Sequence, residues 1–339
     1  MNYKKIALVT IVATSFISLS SWAQREKGQE KRTEKGQQIN MQEVREYFSP
    51  LPDSHIDKNK FKDLISLGER LYFEKRLSIN NQMSCNTCHR IDNFGVDNEP
   101  TSPGHEGKRG ERNSPSTFNS SMHIAQFWDG RAKDVEEQAL GPILNPIEMG
   151  MKSEKDVVNK LKSTSDYIKA FKTAFPKQKD TLTYRNIGVA IGAYERTLVT
   201  PSRFDSFLKG NMSALNQQEK RGLKKFINKG CVACHSGPLL GGNDYQLIGA
   251  VNEYKTHDMG RYNVTKDEDD KKMFKVPSLR NVMRTAPYFH DGSVKTIDEA
   301  IRLMAHHQLD ENVGPSFIED VKAFFNTLTT NKKFRNLEK

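Results

Sequence analysis

All four cysteines of this 339-residue chain fall in two copies of one pentapeptide, Cys85-Asn86-Thr87-Cys88-His89 and Cys231-Val232-Ala233-Cys234-His235. Cys-x-x-Cys-His is the spacing of c-type haem attachment. The two thiols add across the haem vinyl groups as thioethers, and the adjoining imidazole is delivered to one axial face of the iron. A zinc ribbon would place its two Cys-x-x-Cys pairs about 15–20 residues apart and close a tetrahedron, whereas these pairs lie far apart in the chain. A thioredoxin-like redox pair needs a βαβ setting that the flanking residues do not show. The spacing therefore predicts two covalently bound c-type haems, held by Cys85, Cys88 and His89 and by Cys231, Cys234 and His235.

One histidine per iron leaves two axial positions open, and the sixth ligand decides between electron transfer and catalysis. His105 sits in Ser102-Pro103-Gly104-His105-Glu106-Gly107-Lys108-Arg109-Gly110. Glycines on both sides let such a loop swing a histidine on or off a metal, although a loop histidine is more often a surface residue. For the second iron a methionine suits, since a His/Met pair raises the reduction potential. Spacing does not choose among Met259, Met273, Met283 and Met304, methionine is common core filler, and His306 and His307 compete.

Elements able to hold these groups are helical. Phe61, Leu64, Ile65, Leu71 and Tyr72 fall on one helical stripe with Gly68 before the first motif, and Gly222, Leu223, Phe226 and Ile227 repeat it before the second. Gly68 with Tyr72 thus corresponds to Gly222 with Phe226, and a glycine at that place lets another helix come close. Asn216 with Glu219, Ser153 with Asp156 and Thr296 with Glu299 are helix-start capping boxes; the last is expected to run to about Met304. Ile187, Ile191, Tyr194 and Leu198 mark another apolar face, and Ile318, Val321, Phe324, Phe325 and Leu328 a final amphipathic helix. Strand signals are sparse, and the stretches 92–116 and 237–262 read as loops over haem faces. The fold class is therefore mainly α, with two tandem cytochrome c-like domains, 47–210 and 211–339, each with one covalently bound c-type haem.

Lys4, Lys5, an apolar run from Ile6 to Leu19 and Ser21-Trp22-Ala23 read as a signal peptide over 1–23, followed by a polar lead-in over 24–46. The run is short for a membrane span, and no later stretch is long enough, so the expectation is export to the periplasm without a membrane span. The formal charge of +10 suits a solvated basic surface or the steering of an acidic donor. No motif supports nucleic-acid binding.

Beyond these readings the chain resembles the bacterial di-haem cytochrome c peroxidases. The resemblance rests on both haem motifs, Gly-His-Glu-Gly at 104–107, Arg-Asn-Ser-Pro at 112–115, Gln-Phe-Trp-Asp-Gly-Arg-Ala at 126–132 and Glu-Gln-Ala at 137–139. It continues through Asn-Pro-Ile-Glu-Met at 145–149, Pro-Ser-Leu-Arg-Asn-Val at 277–282 and Ala-Pro-Tyr-Phe-His-Asp-Gly at 286–292. It implies that His89 is the proximal ligand of a peroxidatic haem, with His105 its displaceable distal ligand, and that His235 and Met304 hold the other iron. It further implies Glu148 as the acid/base of the distal pocket with Gln138 nearby, Trp128 between the haems, and Asn113, Thr285 and Pro287 around a calcium ion at the domain junction. Each has a plainer reading: a solvated helix-start carboxylate for Glu148, packing for Trp128, a turn former for Asn113. A role for His290 in electron transfer is a further, weaker reading.

The function so implied is reduction of hydrogen peroxide to two waters, with electrons from a small periplasmic donor, a cytochrome c or a cupredoxin. A homodimer is among the expected assemblies, with no residues to fix its interface. Two rivals stand beside it. A relative resembling MauG oxidises a protein and has tyrosine where this chain has Met304, and a plain electron carrier keeps both irons six-coordinate. Met304 argues against the first, and Glu148, Gln138 and the His105 loop against the second.

Overall fold

The computed structural model describes residues 39–338, and residues 41–339 form one compact unit. The expected signal peptide, and the lead-in as far as residue 38, lie outside the described residues. No described helix is long and apolar enough to cross a membrane.

Two helix pairs carry the architecture. Lys62–Tyr72 buries Leu67, Gly68, Leu71 and Tyr72 against Tyr184–Glu195, a helix buried on nearly every side. Gln217–Asn228 buries Gly222, Leu223 and Phe226 against Pro315–Thr327. The contacts correspond one for one. A Cβ on Gly68 would overlap the Ala190 carbonyl, and a Cβ on Gly222 the Asp320 carbonyl, so only glycine allows either approach. One turn on, Tyr72 meets Tyr194 with ring centroids 5.3 Å apart, and Phe226 meets Phe324 at 5.5 Å. The repeat expected from Gly68/Tyr72 and Gly222/Phe226 is thus a repeat of helix crossings, each leading into a Cys-x-x-Cys-His turn.

The expected helix starts are capped, and at Asn216 the box is reciprocal. The Asn216 side chain accepts from Glu219 N at 2.9 Å while Glu219 Oε2 accepts from Asn216 N at 2.8 Å; Ser153 accepts from Asp156 N at 3.1 Å. Each satisfies amides that have no partner within the helix. The described strands are two short segments, Tyr245–Leu247 and Met273–Lys275, paired antiparallel with Tyr245 opposite Lys275.

Three features go beyond the sequence reading. Within the polar lead-in Met41–Tyr47 is a helix, with Val44 and Phe48 buried and Phe48 edge-on to Phe204 at 5.5 Å. The helix from Thr296 runs past Met304 to Leu309 and ends on Asp310 at a left-handed φ of 53°, with His306 and His307 in the last turn, where the helix dipole favours such residues. Side chains from before and after residue 210 are in contact. In Arg203–Leu208, a helix the periodicity did not reveal, Phe204 packs on Phe324 at 5.3 Å and Asp205 binds Arg280 at 2.7 and 2.9 Å. That guanidinium is fully buried, and Leu51 N and Ser202 N, each 2.7 Å from the Asp205 carboxylate, complete the pair. The tail returns to the first motif, with Phe334 on Phe118 at 4.9 Å and Glu338 accepting from Asn86 Nδ2 at 2.8 Å.

Candidate functional site

The first motif opens with a Ser84–Thr87 capping box and a single helical turn, Cys85–Cys88. His89 follows at its end, and its carbonyl accepts from the Tyr72 hydroxyl at 2.7 Å. Helix packing therefore fixes where this imidazole starts. Its Nδ1 is buried beside the backbone of Gly95 and Pro115, short of a well-formed hydrogen bond. Burial pushes the ring pKa down, against the pull of Asp97, so the imidazole is held neutral, the form that ligates a metal.

At the second motif the geometry is more complete. His235 Nδ1 lies 3.1 Å from the Leu240 carbonyl. A carbonyl only accepts, so the proton is on Nδ1 and the Nε2 lone pair is left for a metal. Burial again lowers the ring pKa. Cys231, Cys234, His235 and Met304 line one largely apolar cavity of about 420 Å³, within the size range of cofactor sites. Among the candidate ligands, Met259, Met273, Met283, His306 and His307 do not line it; His307 spends Nδ1 on the Asn252 carbonyl at 2.8 Å. The donor set and the apolar wall fit a haem.

Glu148 lines a second, smaller cavity of about 260 Å³ with Phe127, Arg131, Glu137 and Asn145. The Glu148 carboxyl accepts from Asn145 Nδ2 at 2.9 Å. Burial raises its pKa, while the positive charge of Arg131 and the Asn145 bond oppose the rise. A carboxyl with a raised pKa in a cleft is suited to pass a proton in either direction. Glu148 also lies near enough to Cys88 to raise the thiol by its charge, which puts this cavity beside the first motif.

His105 docks on the Glu148 turn. Its backbone N donates to the Glu148 carbonyl at 2.8 Å, and its Nε2 is 3.1 Å from the Pro146 carbonyl. Gly104 and Gly150 make this docking feasible, since a Cβ on Gly104 would overlap the Ile147 carbonyl and one on Gly150 the His105 ring. Loop and turn are thus one assembly, and displacing His105 breaks its bonds to that turn. Gln138 is half-buried at the end of Val135–Gln138, but Glu137, and not Gln138, lines the cavity with Glu148.

Trp128 donates from Nε1 to the Asn113 carbonyl at 2.8 Å, and lines the larger cavity with Asn113, Thr285 and Pro287. The Asn113 amide nitrogen donates to the Glu99 and Pro100 carbonyls at 3.0 and 3.3 Å, which leaves Oδ1 as the side-chain atom suited to a hard cation. His290 is buried with its ring stacked on Phe274 at 4.2 Å, and its backbone carbonyl accepts from Asn113 N at 2.7 Å. The structure thus brings Trp128, Asn113, Thr285, Pro287 and His290 to one cavity.

Sequence reasoning missed Arg131, the cation facing Glu148, although it lies in the quoted 126–132 stretch. Arg112 was missed too; it ties Asp129 at 2.6 Å to Asp258 at 2.6 and 2.8 Å and so braces the segment carrying Trp128. Nothing in local spacing marks these partners, which are distant in sequence.

A family model described as di-haem cytochrome c peroxidase matches residues 62–213. The cytochrome c551 peroxidase of Pseudomonas aeruginosa is 46% identical over 269 residues, 78% of each chain. That of Nitrosomonas europaea is 45% identical over 271 residues, 79% of this chain and 80% of its own. Among solved structures, a MauG-like protein associated with microbial copper homeostasis superposes with a TM-score of 0.73 at 27% identity, covering 83% of this chain and 94% of its own.

Proposed function

This chain belongs to the di-haem cytochrome c peroxidase family, an oxidoreductase family with two c-type haems, and from that premise we propose that it reduces hydrogen peroxide to two waters in the periplasm. The observation that carries the proposal is the Glu148 carboxyl, raised by burial in a cavity beside the first motif. When bound, the two haems supply a store for one electron and a centre at which peroxide is reduced.

The rest is the work of the chain. Cys85 and Cys88 would attach one haem covalently with His89 as a ligand to its iron, and Cys231 and Cys234 would attach the other, with His235 and Met304 as the iron ligands the chain can offer. Glu148 would take a proton from one oxygen of hydrogen peroxide and return it to the other; two electrons, supplied through the haems when bound, and two protons from solvent complete the reduction to two waters. Arg131, facing Glu148, keeps the carboxylate form accessible. His105 is the removable group: bound to the first haem's iron it would close that site, and docked on the Glu148 turn it would leave the site free. An electron held at the second haem would favour the docked loop only by acting differently on the loop's two states. Trp128 stands between the sites, and Asn113, Thr285 and Pro287 hold calcium there. The donor is a small cytochrome c or cupredoxin, and a homodimer is among the assemblies open to the chain.

A MauG-like protein oxidase has tyrosine in the place of Met304, and a carrier has no use for a protonatable carboxyl in an open pocket. The deciding experiment loads purified holoprotein with one electron per chain and adds hydrogen peroxide, following spin state at each iron and peroxide consumed. Rapid consumption with one high-spin site supports the proposal. Two irons that stay six-coordinate, with peroxide left intact, overturn it.

A further inference from the structure

The two helix crossings share one register, and that register sets a carboxyl in one wall where the other has a phenyl ring. Ala190 and Asp320 take the close approach of Gly68 and Gly222, and Tyr194 and Phe324 meet the two aromatic partners. The Thr197 hydroxyl donates to the Tyr194 carbonyl and the Thr327 hydroxyl to the Phe324 carbonyl, both at 2.7 Å. Asn119 N then donates to the Leu198 carbonyl at 3.0 Å, as Asn281 N does to the Leu328 carbonyl at 3.2 Å. Glu195 therefore stands where the second crossing has Phe325, and Phe325 lines the cavity that holds Cys231, Cys234, His235 and Met304. Helices in matching positions present matching positions to the same side, so Glu195 faces the site of the first motif. Burial and, after it, the charge of nearby Glu195 raise the Cys85 thiol, in keeping with that placement.

Glu195 is 3% exposed, and its carboxyl makes no hydrogen bond or ion pair with another described residue. Arg196, next in the chain, spends its guanidinium on Glu136, at 2.9 Å to each oxygen. The ionisable groups around Glu195 are Glu136 and Arg196, Cys85 and Tyr72 across the crossing, and Tyr194 beside it. Burial holds both tyrosines neutral. Burial and the Glu136 charge raise the Glu195 carboxyl to about 8, against the pull of Arg196. A carboxyl is almost never buried this far without a partner, and the second wall shows that an apolar side chain serves the packing.

We propose that Glu195 is the proton-accepting group of the first haem site, ionised while the bound iron is oxidised and protonated from solvent when that iron gains an electron from the donor. The inference rests on reading the first motif as a haem site. One electron goes to the iron, one proton goes to the carboxylate, and the carboxyl O–H is the bond that forms. The added positive charge of an oxidised haem favours the carboxylate, and in a buried wall that attraction is little screened. Reduction removes it, and burial then favours the neutral acid. With Phe325 in the corresponding place, the second site has no such group there.

The test follows the potential of the first haem in the holoprotein as pH is varied across neutrality. Below about pH 8 the wild-type reduction equilibrium becomes less favourable by up to tenfold per pH unit, about 59 mV for one electron, and it levels off above, where the carboxyl is ionised in both states. Glu195→Gln, an isostere of the neutral acid, abolishes the slope and raises the potential on the alkaline side. Redox-difference infrared spectra give a second readout: reduction of the wild type produces the carbonyl band of a protonated carboxyl, which Glu195→Gln lacks. A slope that persists in Glu195→Gln assigns the proton to another group, a haem propionate included, and overturns the proposal. So does a wild-type protein with two haems per chain and a flat first-haem potential, which leaves the reading of the sites intact. A wild-type haem count below two per chain sinks that reading, and the proposal with it.

Discussion

Replacing Glu148 by glutamine separates shape from proton transfer. The amide keeps the side-chain length and an oxygen able to accept from Asn145 Nδ2, now 2.9 Å away, so the cavity retains its form. What it loses is the basic oxygen. General acid–base catalysis by a positioned side chain contributes about 10²–10⁴ in rate, which at 1.36 kcal/mol per decade is about 2.7–5.4 kcal/mol of barrier. Stopped-flow mixing of the one-electron-reduced protein with hydrogen peroxide should show a loss in that range for Glu148→Gln. The pH profile supplies an independent check. Burial raises the Glu148 pKa and Arg131 holds it back; the base must be ionised, so the wild-type rate falls as pH drops through that raised pKa. Arg131→Gln removes the opposing charge, and the acid limb must move to higher pH. Rates for Glu148→Gln within threefold of wild type at every pH, or an acid limb unmoved in Arg131→Gln, would refute this account of the site.

Arg280→Met strands the buried Asp205 carboxylate, which keeps Leu51 N and Ser202 N as donors but loses its cation; a loss of about 3–5 kcal/mol is expected, measured by urea unfolding. Gly222→Ala forces a methyl group into the Asp320 carbonyl, and overpacking of this kind costs about 1–3 kcal/mol; an unchanged urea midpoint would dismiss the close crossing. Met304→Leu removes the only methionine lining the larger cavity among the described residues, so the potential of that haem should fall, and potentiometry that finds no change would exclude Met304 as a ligand. Removing calcium with a chelator should slow peroxide consumption by the half-reduced protein, with recovery on adding calcium back; indifference to both treatments would strike calcium from the scheme.

The two Cys-x-x-Cys-His motifs were legible because their chemistry is local: two thiols and an imidazole within five residues need no tertiary partner to be recognised. The glycine and aromatic pair before each motif was legible for a similar reason. Helical periodicity sets Gly68 with Tyr72 and Gly222 with Phe226 on one face, and the structure puts Ala190 with Tyr194 and Asp320 with Phe324 opposite them. The helix Arg203–Leu208 escaped notice because its packing comes from Phe324 and Arg280, far along the chain.

By itself the sequence determined the donor sets, the helical character and the capped helix starts, since these depend on residues within a few positions of one another. Tertiary structure decided which methionine faces the second motif, that His105 rests on the Glu148 turn, and that Lys275 meets His123. Those outcomes follow from the crossing of distant helices and from how far a buried group is removed from water. Neither is encoded in local spacing: a charge 150 residues away on the chain is about 3 Å away in the folded protein, as at Lys275 and His123, and only there does its interaction outweigh solvent screening.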